Sequence, residues 1–111
     1  MNTYTRAAAL LLAALALTAC GAEGEQVDRT KFDDAADLAC SVFASGHKKA
    51  QTQQARIDLA KKVMWWAESS VTNGISDNAL AMMQAADAGA GPWKTGGDAF
   101  TQACFDADWK S

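Results

Sequence analysis

TQQARIDLAKKVMWWAESSVT, Thr52 to Thr72, is the stretch that decides the fold. Its apolar side chains do not alternate. Ala55, Leu59, Val63, Trp66 and Ser70 fall on one helical side, next to Ile57, Ala60, Met64, Ala67 and Val71. An arc this broad touches two neighbours, which predicts a central helix ended by Asn73-Gly74, a pair suited to the left-handed C-terminal position.

Working outward, the same period recurs. Thr30-Lys31-Phe32-Asp33 has capping-box spacing and predicts a first helix from Thr30 to about Ser45, ended by Gly46. Phe32, Ala35, Ala36, Leu38, Ala39, Val42 and Phe43 form its apolar arc, with Cys40 at the edge and Asp33, Asp34, Asp37 and Ser41 facing away. Ser76 is placed to cap a third helix to about Ala88, with Ala79, Leu80, Met83 and Ala86 inward. Gly89 to Lys94 reads as a loop, and Thr95-Gly96-Gly97-Asp98 opens a fourth helix carrying Ala99, Phe100, Ala103, Cys104 and Ala107 on one side. No stretch keeps period two long enough for a strand. The fold class expected is all-α, a small four-helix domain.

The N-terminal stretch has a different grammar. Residues 7 to 17 are all Ala or Leu and follow a polar start whose only charge is Arg6. At 1.5 Å per residue the run covers roughly 16 Å, about half the hydrocarbon thickness a spanning helix must cross. This is the pattern of an export signal rather than an anchor. Leu17-Thr18-Ala19-Cys20 then resembles a bacterial lipobox. That resemblance implies cleavage after Ala19 and a diacylglyceryl group on the Cys20 thiol, with palmitate among its acyl chains. The competing reading is an ordinary cleaved signal peptide that leaves Cys20 a free thiol. Each buried CH₂ contributes about 0.8 kcal/mol, so two acyl chains hold a protein on a bilayer. The domains expected are a signal peptide over 1–19, a flexible acidic tether over 20–28 and a helical domain over 29–111.

The lipobox, Ala39-Cys40-Ser41-Val42-Phe43, the Gln53-Gln54-Ala55-Arg56 run and Phe100 to Cys104 together resemble small uncharacterised lipoproteins of high-GC Gram-positive bacteria. The resemblance implies the outer face of the cytoplasmic membrane as location and carries no activity with it. With Cys20 acylated, Cys40 and Cys104 remain as an even pair in an oxidising compartment, and a disulfide between them is expected. A redox or metal role competes poorly: there is no C-x-x-C, and His47 is the only histidine.

Net charge is -3, and removing Arg6 with the leader leaves -4. Such mild acidity offers no footprint for nucleic acid and no polybasic segment for anionic lipid, so membrane attachment is expected to rest on the acyl chains alone. No cofactor is implied. Gly89, Gly91, Lys94 and Thr95 only faintly resemble a phosphate loop, with the wrong spacing and no preceding strand. His47 has no nucleophile to activate, Asp33 and Asp37 read as a solvated face, and no catalytic residue stands out.

Two aromatic features remain as a candidate partner surface. Trp65 lies about 100° from Trp66, among Asp58, Lys61, Lys62 and Ser69; either it contacts a partner or the lysine stems cover it. Phe105 and Trp109, four apart, form either a docking stripe or a face covered by the first helix or the folded-back tail. The function expected is a non-enzymatic, membrane-anchored module that binds an envelope protein or wall component. The alternatives are a small cell-wall hydrolase, which needs two carboxylates about 5 to 9.5 Å apart in a cleft, and a surface exclusion or immunity protein of a mobile element.

Overall fold

A computed structural model describes residues 27–111; the expected signal peptide, Cys20 and the expected tether up to residue 26 lie outside the described residues. Those described residues are all-α: α1 Asp34–Gly46, a 3-10 turn His47–Lys49, α2 Gln53–Ala67, α3 Ile75–Ala85 and α4 Ala90–Asp106. Short connections make successive helices antiparallel neighbours, with α1 on α2, α2 on α3 and α3 on α4. The Cys40 to Cys104 disulfide, with its Cα atoms 6.0 Å apart, closes α4 onto α1.

The core is built on small residues and a few rings. Ala36, Ala39, Ala60, Ala67, Ala79 and Ala86 are buried and let the helices approach closely. Phe43, Trp93 and Phe100 fill the space left between them. The Phe43 ring meets Phe100 edge-on at 5.5 Å and Trp93 at 5.9 Å.

Five helix ends differ from the sequence expectation. α1 is capped by Asp33, not Thr30: the Asp33 carboxylate accepts the Ala36 N–H at 2.8 Å. Thr30 instead donates its N–H and hydroxyl to Asp28, forming a turn where the flexible tether was expected to finish. α2 begins as expected, with Thr52 accepting the Ala55 N–H, but it stops at Ala67 rather than Thr72. The reason is competition for its last residues. Ser70 Oγ and the Val71 N–H both donate to Asp33, while Thr72 Oγ1 accepts the Asp33 N–H and donates to the Lys31 carbonyl.

Gly74 is left-handed, at φ 82°, but it stands at the start of α3 instead of closing α2. α3 therefore begins at Ile75, with Ser76 inside it, and ends at Ala85 rather than near Ala88. α4 begins at Ala90, five residues before Thr95, so the expected loop is helical. Pro92 fits in the first turn because the amide it lacks has no intrahelical acceptor there. Starting early brings Trp93 into the core. Leu38, Leu80 and Ala99, expected inward, are exposed.

Candidate functional site

The Trp65 indole is 71% exposed, and the lysine stems do not cover it. Trp66, one residue on, is half-buried and packs against the core. Together with Val42 of α1 and the stems of Lys61 and Lys62, the two indoles line a shallow, almost wholly apolar groove of about 320 Å³. Leu38, also exposed, lies one turn before Val42 on the same face of α1 and extends the apolar strip. An exposed indole beside such a groove has large apolar area to lose to a partner and an N–H donor to orient it.

The Phe105 and Trp109 stripe divides. Phe105 is 48% exposed, whereas Trp109 is 8% exposed, so Trp109 is corrected from partner surface to core. α4 ends at Asp106, before the helical wheel would place Trp109 outside. Asp108 then adopts a left-handed φ of 76°. Its N–H donates to the Phe105 carbonyl, and that of Trp109 to the Cys104 carbonyl at 2.9 Å. This is the Schellman pattern, with Asp108 where glycine usually stands. It folds Trp109 back toward the disulfide. The indole Nε1 reaches Ser41 Oγ of α1 at 3.4 Å, and the ring lies 5.4 Å from Phe105. The expectation that the first helix covers this face therefore holds for Trp109 and not for Phe105.

Asp33 was read as part of a solvated face and is instead the best-connected carboxylate described. Burial raises its pKa, and the hydrogen bonds from Val71, Ala36 and Ser70 more than offset that, leaving the group below its ordinary value. Asp28 is lowered too, chiefly by the Thr30 hydroxyl and then the Thr30 N–H. The only sequence signal for Asp33 was its place three residues before the Ala36 amide, a spacing Thr30 matched just as well for its own neighbours.

A second concavity opens at the other end of α2. About 350 Å³ in volume, it lies between the 3-10 turn and α4 and includes Phe43, His47, Arg56, Trp93 and Asp98 in its walls. His47 is exposed, as expected, with its ring stacked on Phe43 at 5.1 Å. Neither this cleft nor the three other main cavities among the described residues carries more than one carboxylate. No described helix is long and apolar enough to cross a membrane.

Comparison with protein-family models, curated proteins and solved structures finds no match for this chain. The functional reading accordingly rests on the chain's own residues.

Proposed function

We propose that this chain is an extracytoplasmic lipoprotein, held at the outer face of the cytoplasmic membrane through Cys20. Its helical domain is a non-enzymatic interaction module that presents the Trp65 groove to an envelope protein or wall component. The observation that carries the reading is the 71% exposure of Trp65 beside an apolar groove. Large exposed aromatics at a concave apolar strip mark interaction sites in otherwise polar surfaces.

The placement of the chain's start adds support. The Asn73 N–H donates to the Arg29 carbonyl at 2.8 Å, which holds the domain's N-terminal end against the segment that follows α2. Trp65 lies in the last turn of α2, at that same end. If residues 20–28 are the flexible tether expected, with a reach of about 16 Å, the domain would sit close to the bilayer.

Two measurements test the reading. Palmitate labelling and membrane fractionation of wild type against Cys20→Ala should separate the two proteins; equal labelling and fractionation would remove the anchor. A photo-crosslinking residue placed at Trp65, compared with one at exposed Ala81, should yield a product specific to position 65. The binding-module reading fails if both positions give the same products.

A further inference from the structure

We infer that the cleft between the 3-10 turn and α4 is a second binding site, which takes an oxyanion, phosphate or carboxylate, carried on a flat apolar body. Net charge conceals the relevant pattern. Between Gly46 and Lys62 the chain has Lys48, Lys49, Arg56, Lys61 and Lys62 against one carboxylate, Asp58, although the protein as a whole is acidic. Of these, Lys48 and Arg56 face the cleft, joined by Lys94 from α4, and Asp98 is the only carboxylate in its walls.

Excess charge by itself describes a solvated surface, and three further observations make this one a site. First, Arg56 is held in place: Nε donates to the Ala50 carbonyl at 3.3 Å and Nη2 to that of Gln51 at 3.2 Å. Those bonds engage two of the five guanidinium N–H groups and leave donors on Nη1 and Nη2 for an oxyanion. An anion arriving there meets a side chain whose ordering entropy is already spent.

Second, the floor is aromatic. Phe43 and Trp93 are buried beneath it with their rings edge-on at 62°, and the exposed His47 ring, stacked on Phe43 at 18°, is the flat face that a ligand can reach. Gly97 keeps this floor compact, because a Cβ there would stand 2.8 Å from Phe43 Cζ. Third, the remaining charges are weakly committed. Lys94 and Asp98 form an exposed i,i+4 pair, the only ion pair among the described residues, and such pairs contribute little. Lys48 has no ion-pair partner among those residues. The volume of about 350 Å³ suits a small molecule.

This site stands apart from the Trp65 groove. Nine residues of α2, about 14 Å of rise, separate Arg56 from Trp65, so failure at one leaves the other untouched.

The test is a titration of the full-length protein in zwitterionic detergent, followed by the Trp93 indole and His47 ring resonances. The probes are phenyl phosphate, benzoate, phenol and inorganic phosphate. Phenyl phosphate and benzoate should saturate both signals, with phenol and inorganic phosphate at least about tenfold weaker. Arg56→Gln should weaken phenyl phosphate about tenfold, matching the loss of one charge-assisted contact. Because Arg56 also bonds the backbone, two exposed positions give independent readings. Lys48→Gln should weaken binding and Asp98→Asn should tighten it. Phenol matching phenyl phosphate overturns the oxyanion, and inorganic phosphate matching it overturns the flat body. Unchanged affinity in both Lys48→Gln and Asp98→Asn, or shifts at Trp65 in place of Trp93, overturns the site.

Discussion

The carboxylate of Asp33 accepts the backbone N–H of Val71 at 2.9 Å across a sequence separation of 38, while its other oxygen caps α1 through Ala36. One side chain thus begins the first helix and ends the second. Asp33→Ala removes both and leaves Ser70 Oγ, in a buried residue, without its acceptor. The expected cost is about 2 to 3 kcal/mol in chemical denaturation.

The same carboxylate sets a pH dependence. Its folded pKa lies below the ordinary value, so its stabilising contribution is complete above the unfolded pKa of about 3.9 and fades as pH falls through the folded value. Asn retains a capping oxygen and does not titrate. As pH falls below about 4, wild type should therefore lose more stability than Asp33→Asn, and parallel denaturation profiles would contradict this.

The disulfide closes a segment of 64 residues. In the chain-entropy treatment that constraint contributes roughly 4 kcal/mol, a large share of the total for a domain this small. Cys40→Ser with Cys104→Ser should lower the melting temperature by well over 10 °C, about what such a loss implies at this size. Reductant should reproduce the shift in wild type and leave the double variant unchanged.

Trp65 and Trp109 should behave oppositely. Trp65→Ser changes an exposed position and is expected to stay within about 0.5 kcal/mol of wild type. Trp109→Ala empties a buried position at the end of α4, at an expected cost of about 3 kcal/mol. Calorimetry of both variants decides whether the two indoles carry different tasks.

Asp108 occupies a left-handed conformation that glycine adopts without penalty. Asp108→Gly should raise stability by about 0.5 to 1 kcal/mol while keeping Trp109 in place. Gly97→Ala should do the reverse. Ala is the better helix former, yet its methyl would meet the Phe43 ring, and the overpacking is expected to cost about 1 to 3 kcal/mol.

How far the chain could be read depended on the range of the deciding contact. The 3.6-residue period revealed four helices, and Thr52 was legible as a cap because its partner, Ala55, is three residues away. Cys40 and Cys104 were legible through counting and compartment. Thr30 and Asp33 were indistinguishable locally, since both carry side chains that cap; Ser70, Val71 and Thr72 chose between them. In the same way, the Gly89 to Lys94 segment reads as a loop by composition, and becomes helix once Trp93 finds Phe43.

By itself, then, the sequence determined the helical class, the number of helices, the disulfide and the broad inner face of α2, because periodicity and pairing are properties of composition and order. Tertiary structure decided where each helix stops, which indole stays in solvent and which turns inward, and that Arg56, Lys48 and the Phe43 floor share one cleft. Those outcomes turn on hydrogen bonds and packing between residues far apart in the chain, where several local choices differ by little and one distant partner selects among them.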